Sequence, residues 1–383
     1  MNKVNTVNIP LLIFVKGNGS QGKTSLSHAL SIVYDNENIN IVYGDIIAHL
    51  AIQTGNYPNL IMEQHNNIPH IGFFIQREDV DIELITNLFI KHIEKVFLDT
   101  TKVVIIDGCA LNCCIDTLVE QYNDIGNVFV ITMVKGVAFL DGKEFPSDVV
   151  YVDKSERKLE VEKYLKVAKN IQHHIKCEIR DKILKNSYQY FDDLGQIKVN
   201  SNSPIKVECL KLPDIKGKRI LDVGCNRGYI SFKMRKDGAS VVGIDINLDD
   251  LKKASGIKNS IYDVDDVTFY HTDIFDFNDH CSFDIIVAAS VFHYFREDQP
   301  RFFEKAYALL KDGGLLILEV GIPSGDESEI IQYKRHPDEV PCYFPKFKAL
   351  CDMAKNFKLS YDGDSVNQKG DNIPRKVLHF IKV

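Results

Sequence analysis

The run Arg219-Ile-Leu-Asp-Val-Gly-Cys-Asn-Arg-Gly228 decides the fold of the C-terminal half. It ends an apolar strand in a tight glycine turn and then opens a helix, Tyr229 to Lys236. Strand, glycine turn and helix in that order form the unit with which open α/β sheets build a ligand crevice at their carboxyl edge. Asp222, Gly224 and Gly228 stand in DxGxxxG spacing, not the GxGxxG of dinucleotide enzymes. The turn is therefore less suited to the close approach of a pyrophosphate and fits an adenosyl ligand with an uncharged linkage.

Working outward, further acidic groups fall at predicted strand ends. Val241-Val-Gly-Ile-Asp245 places a carboxylate where it can accept from both ribose hydroxyls, and Thr268-Phe-Tyr-His-Thr-Asp273 places one that can accept from an amino group. Phe283-Asp-Ile-Ile-Val-Ala-Ala-Ser290 reads as a fourth strand, and Lys311-Asp-Gly-Gly-Leu-Leu-Ile-Leu-Glu319 as a turn and a fifth.

This ordered series resembles the class I S-adenosylmethionine-dependent methyltransferases over about Tyr188 to Val383. The resemblance implies a Rossmann-like domain that binds S-adenosylmethionine. Asp222, Gly224 and Gly228 would surround its methionine part, Asp245 would hold its ribose, and Asp273, with Ile274 or Phe275 beside the ring, its adenine. Cys225, Asn226, Ile246 and Ser290 are further expected contacts of the donor. Tyr188 and Gln189 look like the substrate-side approach of some members.

The acceptor is less determined. No NPPY-type element for an exocyclic amine follows the fourth strand, which continues Ala289-Ser-Val-Phe-His-Tyr-Phe295. His293 suits a general base or, protonated, a phosphate donor. Lys334-Arg-His336 and Pro374-Arg-Lys376 are basic clusters in the region where this fold carries substrate loops, with Arg335 and Arg375 as candidate substrate contacts. The Gly224-Cys-Asn226 turn and the Glu319 strand end also look like the family that methylates RNA 5'-phosphates.

In the N-terminal half, Pro10-Leu-Leu-Ile-Phe-Val15 reads as a doubly buried strand that feeds Gly17-Asn18-Gly19-Ser20-Gln21-Gly22-Lys23-Thr24. This is a complete GxxxxGKT. Its backbone amides, with Ser25, would wrap the phosphates of ATP, Lys23 would reach the β and γ oxygens, and the Thr24 hydroxyl would bind Mg2+. Strands Ile39 to Val42 and Lys102 to Ile106 lead to Asp45 and Asp107. The layout resembles the small P-loop kinases over about Val7 to Asn170. By that resemblance Asp45 would act as the catalytic group on the acceptor hydroxyl, and Asp107 would lie at the Mg2+. The arginine-rich lid of many such kinases has no counterpart in Lys135-Gly-Val-Ala-Phe-Leu-Asp-Gly-Lys143, and Arg77 and Arg157 are the nearby arginines.

The expected fold class is therefore α/β, with two tandem doubly wound domains: a P-loop NTPase fold at 1–178 and a Rossmann-like methyltransferase fold at 179–383. A closing helix is expected over about 155–185, carrying Leu159, Tyr164, Leu165, Ala168, Ile171 and Ile175 at helical spacing. Adjacent His173 and His174 diverge by about 100° on such a helix, which argues against a metal pair.

At 383 residues the chain is long enough for two cores. The apolar run Ile9 to Val15 is about a third of a span of roughly 20 residues, so a cytoplasmic protein without a membrane span is expected. Nine scattered cysteines fit a reducing compartment, and no zinc site is indicated. A net charge of -7 weighs against broad affinity for nucleic acid.

Three functions remain open on the sequence. One is a bifunctional kinase and O-methyltransferase that phosphorylates a glycan or small metabolite and methylates the new phosphate. Its logic is similar to that of kinase/methyltransferase proteins that end bacterial surface polysaccharides with methyl phosphate. The second is the same chemistry on an RNA or DNA end. The third is a methyltransferase of an unrelated hydroxyl or amine joined to a regulatory NTP-binding module.

Overall fold

The fold is that of a computed structural model, which describes residues 5–17, 22–34, 39–43, 63–65, 68–70, 82–97, 102–108, 111–124, 126–134, 137–145, 161–185, 187–195, 202–279, 282–325, 327–333, 341–367 and 373–383. The expected contacts Asn18, Gly19, Ser20, Gln21, Asp45 and Arg335 lie outside these residues, as do Arg77 and Arg157.

Contacts divide the chain into two compact units. One comprises Asn8–Lys185 with Ser255–Asp263; the other comprises Met1–Val7, Asn186–Ala254 and Val264–Val383. The chain thus crosses between units at Val7 and around Ser255 as well as near the boundary expected at 178.

In the first unit the strands are β2 (Leu11–Lys16), β3 (Ile39–Tyr43), β6 (Val103–Asp107), β7 (Val128–Val134), β8 (Val137–Leu140) and β9 (Lys143–Phe145), after the short β1 (Asn5–Thr6) of the other unit; β4 (Glu63–His65) and β5 (Ile68–His70) form a separate hairpin. The sheet order is β3-β6-β2-β7-β8-β9, parallel across β3, β6, β2 and β7. β2 is central because Leu11 to Val15 are apolar on both faces, all within 1% exposure. Helices α1 (Lys23–Tyr34), α2 (Ile82–Val96), α3 (Leu111–Tyr122) and α4 (Val161–Leu184) complete the unit. Where a lid was sought, β8 and β9 extend the sheet as an antiparallel hairpin.

In the second unit the order is β1-β12-β11-β10-β13-β14-β18-β17, with β10 (Arg219–Val223), β11 (Ser240–Asp245), β12 (Val267–His271), β13 (Phe283–Ala289), β14 (Leu310–Gly321), β17 (Phe357–Asp364) and β18 (Arg375–Lys382). β12, β11, β10, β13 and β14 are parallel, whereas β1, β18 and β17 pair antiparallel. This is a Rossmann-like sheet, mixed at both edges. Its covering helices are α5 (Ser203–Cys209), α6 (Tyr229–Lys236), α7 (Leu248–Ile257), α8 (Gln299–Leu309) and α9 (Phe347–Met353). A core of Leu221, Ile244, Ile286, Phe292, Phe302, Leu318 and Phe380 fills the space beneath. β15 (Ile330–Tyr333) and β16 (Cys342–Pro345) form a hairpin.

Candidate methyl-donor site

Parallel β10, β11, β12 and β13 bring Asp222, Asp245, Asp273 and Ser290 to one carboxyl edge. β10 is the centre of this arrangement because its apolar run packs on both faces, and its register sets Asp222 against Gly243 of β11 and Val287 of β13.

The turn after β10 is costly for ordinary residues. Gly224, Asn226 and Gly228 all have left-handed backbone, at φ of 73°, 53° and 84°. A Cβ on Gly224 would approach Val291 to 2.8 Å, and one on Gly228 would approach Phe269 to 2.8 Å. Both glycines therefore answer to packing within the protein as well as to backbone conformation, and the Gly224 turn abuts the segment following β13.

Helix α6 starts at this turn without a side-chain cap from its own Ncap residue, Gly228. Distant side chains meet its first turn, one at a backbone amide and one at a hydroxyl. The Tyr229 amide donates to Gln189 Oε1 (3.1 Å), and Ser231 Oγ donates to Asp222 Oδ2 (2.6 Å). Gln189 also donates through Nε2 to the Cys225 carbonyl (3.1 Å). Asp222 is 1% exposed, and burial, partly offset by the Ser231 hydrogen bond and reinforced by the Asp245 charge, pushes its carboxyl up to about 7.

Asp245 accepts the backbone amides of Asn226 and Asn247, both at 2.8 Å, and burial raises its carboxyl above the usual range. Asp250 on α7 braces the turn from the other side, accepting from Asn226 Nδ2 (2.8 Å) and Arg227 Nε (2.9 Å). Ile246, next to Asp245, is 73% exposed, an unusual position for a large apolar side chain beside a polar turn. Asp273 Oδ1 accepts the amides of Phe275 (2.6 Å) and Asp276 (3.1 Å). The Ile274 side chain belongs to the core, whereas that of Phe275 is partly exposed beside Arg301. Cys225 is buried, and Tyr188 is exposed.

The end of β13 carries a feature that sequence reading missed. Ser290 has left-handed backbone (φ 59°), and its hydroxyl donates to Glu319 Oε2 (2.6 Å) while accepting from Arg375 Nη2 (2.8 Å) and Lys206 Nζ (2.7 Å). Arg375 also grips Glu319 through Nε (2.6 Å) and Nη2 (2.9 Å). The Pro374-Arg-Lys376 stretch is therefore not a solvated basic cluster: Arg375 begins β18 and its side chain is 1% exposed, while Lys376 pairs with Asp362 on β17. Alternation along a strand explains this, because successive residues face opposite sides of the sheet. Lys206, on α5, carried no motif that would have marked it. Burial would raise the Glu319 carboxyl, but the hydrogen bond and charge of Arg375, helped by Lys206 and Ser290, hold it at about 2. Burial pushes the Lys206 ammonium below its ordinary range.

His293 is buried, with its ring stacked on Phe344 of β16 at 5.1 Å and close to Tyr294 at 4.1 Å. In the first unit, Lys23, Thr24 and Ser25 open α1 directly after Gly22, and Asp107 ends β6 opposite Val15 of β2. Among the described residues no group of three or more His, Cys, Asp or Glu is placed to hold a metal, and no helix is long and apolar enough to cross a membrane.

Residues 221–316 match the family model described as a methyltransferase domain. Among curated proteins, the chain is 32% identical over 124 residues to a tRNA U34 carboxymethyltransferase of Alteromonas mediterranea, covering 30% of this chain and 36% of that protein. It is 34% identical over 143 residues to the tRNA U34 carboxymethyltransferase of Colwellia psychrerythraea, covering 37% of this chain and 44% of that protein. The match thus spans less than half the length of either relative. A SAM-dependent methyltransferase structure from Methanosarcina mazei is similar at 21% identity, covering 45% of this chain and 94% of that one, with a TM-score of 0.38. Together, the family match and the parallel edge built by β10, β11, β12 and β13 show that the C-terminal half carries a methyltransferase domain of Rossmann-like α/β fold.

Proposed function

We propose that the chain is a bifunctional enzyme that transfers phosphate from ATP to a hydroxyl of a glycan or small metabolite and then methylates the new phosphate from S-adenosylmethionine. The observation that carries the reading is the buried Lys206 and Arg375 pair converging on Ser290, beside the donor turn. With Glu319 the group holds a net positive charge, whose field at the end of β13 favours an anionic acceptor over a neutral amine or alcohol without the buried side chains touching it. A phosphate monoester is already a nucleophile at neutral pH, so the protein has to align it with the methyl group and exclude water. His293 would then assist as a donor from behind Tyr294, and Tyr188 would line the approach.

The kinase half of the reading is supported by the GxxxxGKT sequence between a central parallel strand and α1, and by Asp107 on the neighbouring strand. ATP would lie on Gly17 to Ser25, with Mg2+ held by Thr24 and Asp107; Asp45 would serve the acceptor hydroxyl.

A second reading is favoured by the curated relatives. Carboxymethyl transfer to a tRNA would need a sulfonium donor that carries a carboxymethyl group in place of the methyl, and the same Lys206 and Arg375 pair complements the charge of that carboxylate. One experiment separates the two. The full chain is incubated with γ-labelled ATP, with methyl-labelled S-adenosylmethionine or its carboxymethyl-labelled sulfonium analogue, and with a panel of glycans, nucleosides, RNA ends and tRNA. Methyl phosphate formation requires methyl label to follow phosphate label and to disappear in Lys23→Ala. Carboxymethyl label that enters tRNA without ATP, with no methyl phosphate formed on any acceptor, refutes the first reading and supports the second.

A further inference from the structure

We infer that Gln189 is a positioning residue for the methyl donor, because its one amide group ties together the two sides of the Gly224 to Gly228 turn. The inference rests on the assignment of that turn to S-adenosylmethionine.

The geometry leaves little freedom. Cys225 precedes the left-handed Asn226, and Tyr229 follows the left-handed Gly228. The turn adopts conformations that an L residue reaches at a cost, so external contacts must hold it. Gln189 meets both sides at once, donating to the Cys225 carbonyl and accepting from the Tyr229 amide, each at 3.1 Å. No carboxylate can do this when ionised, since it only accepts, and no lysine can, since it only donates. An amide is the group that matches both demands at neutral pH.

Gln189 is itself fastened. Its carbonyl accepts from Ser187 Oγ (2.8 Å), and the next amide, of Tyr190, donates to Ser203 Oγ (3.2 Å). Phe191 sets its ring edge-on to Tyr229 at 5.3 Å, and the Tyr229 hydroxyl donates to Asp192 (2.9 Å). Residues 187–192 therefore form a fixed strap on the start of α6, and Gln189 is 7% exposed within it. A side chain so placed has no open face for an acceptor substrate. Its reach to the acceptor goes through the donor turn, with exposed Tyr188 as its neighbour.

The test uses the full chain and titration calorimetry with S-adenosylhomocysteine. Gln189→Met keeps the volume and removes both hydrogen bonds, and it should weaken binding about tenfold or more. Gln189→Glu keeps the acceptor for Tyr229 but places a carboxylate against the Cys225 carbonyl. It should bind weakly at pH 8 and recover toward wild type at pH 5.5, where a protonated carboxyl again donates and accepts. Affinities are compared with wild type at each pH, below the melting temperature of each variant. A loss confined to packing would not recover on acidification. If Asp245→Ala weakens binding while Gln189→Met stays within twofold of wild type, the inference is overturned and the donor site stands. If neither substitution weakens binding, the donor assignment fails and the inference with it. Should Gln189→Met not fold, a Gln189→Glu variant equally tight at both pH values overturns the inference.

Discussion

Arg375 and Glu319 form an ion pair with side chains 1% and 0% exposed, so their energetics differ from those of a surface pair. Removing one partner strands the other charge in a medium where it cannot be solvated. Arg375→Ala should therefore destabilise the fold by about 3–5 kcal/mol, whereas the triple change Arg375→Met, Glu319→Leu and Lys206→Met, which also removes the ammonium that Glu319 balances, should cost much less. A urea denaturation series on the single and triple variants checks this. The Glu319 carboxyl is held at about 2, below its ordinary value, so its contribution is present above the usual carboxylate range and is lost only as pH falls toward 2. Asp222 has the opposite sign. Burial first, and then the Asp245 charge, put its carboxyl near 7, so the folded chain holds a proton that the unfolded chain releases. That contribution to stability is full at low pH and is lost as pH rises through about 7. Ionised Asp222 should in turn favour a cationic sulfonium donor, so affinity for S-adenosylmethionine should rise as pH passes upward through about 7. Asp222→Asn should flatten both profiles, as read by melting temperature and calorimetry between pH 5 and 8. An unchanged affinity slope in this variant would exclude Asp222 as its source.

At the scale of elements, the turn between β10 and α6 makes the sharpest demand on residue type. Gly228→Ala would place a Cβ 2.8 Å from Phe269 and 2.9 Å from Phe232, on backbone at φ 84°. Crowding and left-handed strain together should cost about 2–4 kcal/mol and lower the melting temperature, with loss of donor binding. Gly313→Ala, on a turn open within 4 Å, faces strain alone at φ 70° and should cost about 1–2 kcal/mol. The contrast between the two is the measurement. These turns were legible in the sequence because glycine spacing and flanking apolar runs report local backbone. The carboxyl edge was legible for the same reason, since each of Asp222, Asp245 and Asp273 ends its own apolar run. Lys206 was not legible, because its role arises from the approach of α5 to the end of β13, over 84 residues of separation. Arg375 was noticed as a basic residue, but its burial depends on β18 lying antiparallel against β14, a pairing that no local pattern encodes. Gln189 was assigned to the substrate side because the residues that hold it, Cys225 and Tyr229, are 36 and 40 positions away.

At the scale of the whole molecule, the two compact units are interleaved along the chain, and no single cut returns both intact. β1 belongs to the methyltransferase sheet, pairing Asn5 with His271 and Thr6 with Tyr270 on β12. Conversely, Ser255 to Asp263, which follows from α7, belongs to the N-terminal unit. There Ser255 Oγ accepts the Ile9 amide (2.8 Å), Asn259 donates to Asn8 (2.8 Å) and to the Ile9 carbonyl (3.0 Å), and Asp263 neutralises Lys102 at 2.9 Å. These contacts fix the first residues ahead of β2 and the residue ahead of β6, the two middle strands of that sheet's parallel part. A fragment ending at Lys185 would leave Lys102, whose side chain is 4% exposed, without its carboxylate, and Asn8 and Ile9 without their partners. A fragment beginning at Asn186 would leave the β12 edge unpaired and uncover Ser255, Ile257, Asn259 and Ser260, each at most 3% exposed in the full chain. An unpaired strand edge and newly exposed apolar surface promote association. Both fragments should therefore melt below the intact chain, and 186–383 should aggregate on heating. Differential scanning calorimetry and light scattering on the two fragments and the full chain decide the point. A 186–383 fragment that melts reversibly at the temperature of the corresponding transition in the full chain would show that β1 and the embedded segment add nothing to its stability.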